Sequence, residues 1–330
     1  MKRATLCLAA MLSLGLGSPA SAYSELLVFG DSLVDSGNAR IGALAMGLPD
    51  PAPPELGYFQ GRFSNGYNFA DYLSLGYWGA PATAYLQGGI NFGVGGAEAA
   101  YDPAEVSPSF LPQLGLFQQT MQPIADDALV LVTFGGNDVR AVLTDLGPVD
   151  FTPTLTAMAT GLSALAGAGA AHIVVTGIAD IGALPSTLAL GDPAIAALAT
   201  ARALALNAQF AALADSLSLS TGADIDYFDL YGLEQSLRAD PAAFGLPADL
   251  DTLDTCQSGG PDAVLGGCVG YLYFDPIHPT TQIHAIIADQ IARQLAAPVP
   301  EPRIWLLMVA GLGLVGALLR RQAAHGCMPA

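Results

Sequence analysis

The run Ala128-Leu129-Val130-Leu131-Val132-Thr133-Phe134 constrains the fold of this chain more than any other stretch. It is an unbroken apolar and β-branched segment, far too short to cross a membrane. It reads as a strand buried on both faces, as in a parallel sheet covered by helices. The run ends at Gly135-Gly136-Asn137-Asp138, where the chain must turn. Leu26-Leu27-Val28-Phe29 repeats the pattern and stops at Gly30-Asp31-Ser32. His172–Thr176 and Asp224–Asp229 read as further strands, and Gly88–Ala97 as a strand followed by a tight glycine loop. Between them, Phe69–Leu75, Pro153–Gly169, Ala194–Leu219 and Thr280–Leu295 are read as helices. Strands alternating with helices predict an α/β fold with a parallel central sheet. In such sheets ligands and chemistry collect where the strands' carboxyl ends open into loops.

The two ends of the chain are of another kind. Lys2 and Arg3 precede the apolar run Leu6–Leu16, and Ala20-Ser21-Ala22 fits a small-residue cleavage site. Residues 1–22 are therefore expected to be a secretory signal, removed by signal peptidase before Tyr23. At the other end, Val299-Pro300-Glu301-Pro302 leads into the apolar run Ile304–Leu319, followed at once by Arg320 and Arg321. As a helix that run is about 24 Å long, which permits a membrane span, with the paired arginines kept on the cytoplasmic side. Residues 298–330 are thus expected to be a membrane anchor or a sorting signal, and 23–297 a single domain. With 52% hydrophobic residues in 330, that domain has ample material for a core. The formal net charge of −18 argues against a nucleic-acid partner, whose phosphates would be repelled.

Export places the folded protein in an oxidising compartment, where Cys256 and Cys268 form the natural disulfide pair. They fall in the long polar connection 240–270, with Asp249, Asp251, Asp254 and Asp262 nearby. That spacing fits no EF-hand loop, so the acidic residues are read as a solvated loop and not as a calcium site.

Ser32 follows a strand and a glycine, a position that suits a nucleophile. The plain alternative is a helix cap. A serine hydroxyl needs a neighbouring base, and histidine is the best candidate near neutral pH. The chain has four histidines. His172 begins a strand, at the end away from the expected site; His325 lies in the tail; His284 sits inside the closing helix. His278 lies in a proline-flanked turn with Asp275 three residues earlier, where a carboxylate could orient the imidazole. The backbone N–H groups of Ser32 and Gly96 and the side-chain amide of Asn137 are candidate oxyanion donors.

These segments together resemble the GDSL-type members of the SGNH hydrolase superfamily. The resemblance rests on Phe29-Gly30-Asp31-Ser32-Leu33-Val34-Asp35-Ser36-Gly37-Asn38, Gly61-Arg62-Phe63-Ser64-Asn65-Gly66, Asn91-Phe92-Gly93-Val94-Gly95-Gly96-Ala97, Gly135-Gly136-Asn137-Asp138 and Asp275-Pro276-Ile277-His278-Pro279. It implies a three-layer α/β/α sandwich, flavodoxin-like, with a mostly parallel sheet of about five strands. It also implies Ser32 as nucleophile, His278 as base, Asp275 as orienting acid, an oxyanion hole of Ser32, Gly96 and Asn137 (with Gly95 as the alternative to Gly96), and no metal or organic cofactor. The expected activity is hydrolysis of lipid or short acyl esters. The alternatives are a carbohydrate O-acetyl esterase, or a non-catalytic envelope or matrix protein on the same fold. The tail is similar to a PEP-CTERM sorting signal, which implies cleavage by an exosortase-like enzyme and delivery to the cell envelope or extracellular matrix.

Overall fold

A computed structural model describes residues 23–103, 106–120 and 122–296 of the chain. The expected signal peptide (1–22) and sorting segment (298–330) lie outside these residues. The chain divides into two compact units, Met1–Ala288 and Asp289–Ala330. In the second, Arg293 Nε pairs with Asp289 Oδ2 at 2.7 Å. The first unit carries both sheets.

Among the described residues its central sheet has four parallel strands in the order β1 (Leu26–Gly30), β2 (Leu129–Thr133), β3 (His172–Thr176) and β4 (Asp224–Phe228). Every residue of β1 and β2 is buried, as their unbroken apolar runs require. The partners Val28, Leu131, Val174 and Asp226 form one rung across the sheet.

The segment read as a second strand over Gly88–Ala97 is shorter than expected. Asn91 forms only an isolated parallel bridge with Val28. Phe92 N donates to Val28 O at 2.8 Å and Val94 N to Gly30 O at 2.9 Å, so this segment borders β1 where a fifth strand would lie. The glycines on either side carry the chain into turns, and the Asn91 amide bonds to Val34 O and Ser36 Oγ. A second, two-stranded sheet was not anticipated: β5 (Asp251–Thr255) pairs in parallel with β6 (Tyr271–Tyr273), inside the region read as a polar connection.

In chain order the helices are α1 (Asn38–Ala45), α2 (Phe69–Trp78), α3 (Phe110–Gln119), α4 (Gly136–Ala141) and α5 (Thr152–Gly167). They continue with α6 (Pro185–Leu188), α7 (Pro193–Thr221), α8 (Leu230–Ala239), α9 (Pro261–Leu265) and α10 (Thr281–Leu295). α3 packs on β1, α5 on α3 and α7, and α7 on β4. Phe29 meets Phe110 and Phe117 of α3 with ring centroids 6.0 Å apart. α2 meets the start of α10 through the Tyr72 hydroxyl and Thr281 Oγ1, 2.8 Å apart. The result is the expected three-layer α/β/α arrangement.

Local sequence explains the helix ends. α2 opens with a capping box in which Asn68 Oδ1 accepts from Asp71 N and Asp71 Oδ2 accepts from Asn68 N. α7 starts with Asp192 as cap and Pro193 at its first position, and ends at Gly222 in the left-handed conformation. Its buried residues Ala199, Ala203, Leu206, Phe210 and Ala214 recur at helical spacing, which explains how so long an apolar helix packs on a sheet.

Candidate active site

The site begins where β1 stops. A side chain at Gly30 would bring its Cβ within 2.6 Å of Val34 Cγ2 and 2.7 Å of Thr133 O, so only glycine fits between β1 and β2. Gln113 closes the strand end by accepting from Gly30 N and donating to Gly30 O, at 2.9 and 2.8 Å. Asp31 Oδ1 then accepts from Leu33 N at 2.9 Å, a tight turn that leaves Ser32 at its apex. Ser32 Oγ lies 2.8 Å from His278 Nε2, across 246 residues of sequence.

Local hydrogen bonds build the opposite wall. Asp275 Oδ1 accepts the backbone N–H groups of Ile277 and His278, both at 2.8 Å. Asp275 Oδ2 lies 2.7 Å from His278 Nδ1. An ionised carboxylate only accepts, so Nδ1 carries the imidazole proton and Nε2 is left to accept from the Ser32 hydroxyl. Burial alone would raise the Asp275 carboxyl. The His278 charge, its side-chain hydrogen bond and the backbone donors outweigh burial and hold it below the ordinary aspartate range.

The Gly61–Gly66 segment supports this turn from behind. Ser64 Oγ donates to Pro279 O at 2.9 Å, Asn65 Oδ1 accepts from Thr281 N at 2.9 Å, and the Phe63 ring lies 5.2 Å from the His278 imidazole. Arg62 in turn grips the fully buried Asp71 through two nitrogens at 2.9 Å. A desolvated, bidentate pair of this kind fixes the segment in place.

The candidate oxyanion donors are arranged as follows. Gly96 takes φ +85, a conformation that disfavours side chains, and among the described residues neither its N–H nor that of Ser32 donates to the protein. The neighbouring Gly95 N–H is spent on Asp35 Oδ2 at 2.8 Å, which removes Gly95 from consideration. Asn137, at the start of α4, donates from Nδ2 to Ala97 O at 3.0 Å, and Asp138 accepts from Ala99 N at 2.9 Å. The two residues therefore hold the Gly96–Ala100 loop against α4. Arg140 Nη1 donates to Asn137 Oδ1 at 3.0 Å, so the Asn137 amide has a single sensible orientation.

Ser32, Asn137, Arg140 and His278 line one cavity, open to solvent on one side. Beyond them its wall is mostly apolar, with Ile178, Ile181, Leu184, Leu237, Ile283 and Ile287, and it includes Thr133, Phe134, Glu234 and Tyr273. Asp31 also faces it, and burial pushes its carboxyl up to about 7, against the pull of Leu33 N and the His278 charge. His284 lies buried in α10, where burial lowers it to about 3 and its Nδ1 has no partner, so it stays neutral. His172 stands at the start of β3 beside Tyr23, away from this cavity.

Cys256 and Cys268 are joined, with S–S 2.00 Å and Cα atoms 5.3 Å apart. Asp251 Oδ1 accepts from Leu253 N and Asp254 N, a self-contained turn. Among the described residues no cluster of carboxylates, histidines or cysteines is arranged to hold a metal ion.

Three contributors carried no sequence signal of their role. Tyr58 donates its hydroxyl to Asp275 Oδ2, Arg140 orients Asn137, and Asp35 gathers the N–H groups of Gly37, Asn38, Ala39 and Gly95. Asp35 lay inside the motif containing Ser32, but nothing marked it as the residue that shapes the Gly95–Gly96 loop.

The family model described as GDSL-like Lipase/Acylhydrolase matches residues 26–291. GDSL esterase/lipase LTL1 of Arabidopsis thaliana is 28% identical over 320 residues, covering 80% of this chain and 85% of that protein. Esterase EstA of Pseudomonas aeruginosa is 28% identical over 342 residues, covering 88% of this chain and 50% of its own length. Among solved structures, an acetylxylan esterase from Geobacillus stearothermophilus superposes with a TM-score of 0.41 at 16% identity, over 84% of this chain and 97% of that one.

Proposed function

The chain belongs to the GDSL-like lipase/acylhydrolase family and is a carboxylic ester hydrolase; from that premise we propose that it is an exported serine esterase of acyl esters, with Ser32 as nucleophile. The observation that carries this reading is the 2.8 Å contact between Ser32 Oγ and His278 Nε2 in the wall of a mostly apolar cavity.

His278 Nε2 takes the Ser32 proton as Oγ attacks the ester carbonyl, and Asp275 stabilises the imidazolium that forms. The carbonyl oxygen becomes an oxyanion, stabilised by the Ser32 and Gly96 N–H groups and the Asn137 amide. Collapse breaks the bond to the alkoxy oxygen. His278 returns its proton to the departing alcohol, leaving an acyl group on Ser32. Water, deprotonated by His278, then attacks that acyl carbonyl, and a second collapse releases the carboxylic acid and restores the Ser32 hydroxyl.

The apolar wall favours an acyl chain longer than acetyl. Each methylene buried there contributes about 0.8 kcal/mol, whereas a sugar would bury hydroxyls against a mostly apolar wall. This supports an acyl or lipid ester over an acetylated glycan. Rates on p-nitrophenyl esters from acetate to palmitate, alongside acetylated xylan, test the choice. kcat/KM should rise beyond acetate, while a maximum at acetate with fast release of xylan acetate would favour the carbohydrate reading.

Export is proposed on the sequence of residues 1–22 and is supported by the Cys256–Cys268 disulfide, which suits an oxidising compartment. Residues 298–330 are proposed to sort the protein to the envelope or matrix through an exosortase-like enzyme. Intact-mass analysis of the protein from its native host distinguishes cleavage near Pro300–Pro302 from a retained anchor.

A further inference from the structure

We infer that Tyr58 is a positioning residue for Asp275: its phenol O–H shares Asp275 Oδ2 with the His278 Nδ1–H, and so fixes the carboxylate and moderates its pull on the imidazolium. This rests on the proposed Ser32–His278–Asp275 reading.

The Tyr58 hydroxyl lies 2.7 Å from Oδ2, as close as the imidazole nitrogen that the same oxygen accepts. With Oδ1 occupied by the Ile277 and His278 N–H groups, each carboxylate oxygen has two donors. Burial, and then the Asp275 charge, raise the phenol's ionisation well beyond the ordinary tyrosine range. It therefore remains a donor at any pH an assay would use.

The ring is held in place from several sides. Phe274 meets it edge-on with centroids 5.0 Å apart, and Phe63, which lies against His278, meets it at 6.3 Å. Tyr58 also packs on the small buried core of Cys256, Cys268 and Phe274. Gln257, the residue after Cys256, donates to Leu56 O at 3.0 Å, close to Tyr58 in the same loop. Phe63 from the same loop and the distant Cys256, Cys268 and Phe274 thus converge on this ring.

The consequence has a sign. A donor on Oδ2 withdraws part of the charge that would otherwise stabilise the imidazolium. Removing only the hydroxyl concentrates that charge on His278 and makes the imidazole more basic. The acid limb of the kcat/KM profile, which reports the base in the free enzyme, then moves to higher pH. A hydroxyl that merely kept Asp275 in place would act oppositely: a loosened carboxylate pairs less well with His278 and the limb falls. Asp31 and His284 also interact electrostatically with His278, and Arg140 with Asp275. These groups are present in all the variants compared, so a shift of the limb between variants reports the change at position 58.

The experiment is the pH profile of kcat/KM for a neutral p-nitrophenyl ester with the intact enzyme, Tyr58→Phe, and the enzyme carrying 3-fluorotyrosine at position 58 only. The fluorinated ring keeps the shape and is a stronger donor. Tyr58→Phe should raise the acid limb by about half a pH unit, and the fluorinated residue should lower it. An unmoved limb, or a downward shift in Tyr58→Phe, overturns the role while leaving the esterase reading intact. Absence of Ser32-dependent hydrolysis in the unsubstituted enzyme overturns both.

Discussion

The Arg140 guanidinium donates to Asn137 Oδ1 at 3.0 Å, while Asn137 Nδ2 donates to Ala97 O at the same distance. A flipped amide would set its NH₂ against a guanidinium and its oxygen against a carbonyl, so this pair fixes which end of Asn137 faces the Gly96 loop. The residues are one helical turn apart on α4, the spacing at which side chains meet.

Asn137→Ala should therefore lower kcat roughly 100- to 1,000-fold with KM little changed, since an oxyanion donor acts mainly once charge develops. Arg140→Met should lower kcat about tenfold, and add little in an Asn137→Ala background, because coupled residues are not additive. Steady-state kinetics of the two single variants and the double variant decide it. Fully multiplicative losses would mean that Arg140 acts independently of Asn137.

Stability should depend on pH through Asp31. Burial raises its carboxyl to about 7, above the ordinary aspartate value of 3.8, so the folded state holds this proton more tightly than the unfolded chain. Its contribution is fully present below about pH 4 and is lost as pH rises through 7. Asp275, held low, works in the opposite sense and loses its contribution as pH falls. Asp31→Asn keeps an acceptor for Leu33 N and removes the titration. In urea denaturation its stability relative to the unsubstituted protein should increase from pH 4 to pH 8. A constant difference would show that the Asp31 carboxyl is not strained by burial.

The Cys256–Cys268 bond closes a short loop, with a sequence separation of 12, and its buried core touches Tyr58 and Phe274. Loops of this size contribute about 2–3 kcal/mol in the chain-entropy model. Reduction, or replacement of both cysteines by alanine, should lower the melting temperature. It should also reduce kcat more than KM, because Phe274 adjoins Asp275. An unchanged melting temperature after complete reduction would rule out a stabilising role.

What the sequence revealed depended on how local the cause was. β1 and β2 were legible because strands buried on both faces have only apolar residues to use. The fifth position of the sheet was misjudged because the glycines around Asn91 serve the turn, leaving only a bridge to Val28. β5 and β6 were invisible: Asp251–Thr255 carries half-exposed polar residues, and its pairing is set by Tyr271–Tyr273 beyond the disulfide loop. Ser32, Asp275 and His278 stood out because their residue types and the turns around them are local signals. Tyr58 could not be found that way, since its partner lies 217 residues on and nothing around it marks a hydrogen bond to a carboxylate.

The most direct test of the central claim is covalent labelling with a serine-directed organophosphonate, read by peptide mass spectrometry. The account predicts one adduct, on Ser32, formed in step with loss of esterase activity. Folded Ser32→Ala and His278→Ala proteins should be neither labelled nor active. An adduct on another serine, or substantial hydrolysis by folded Ser32→Ala, would contradict it.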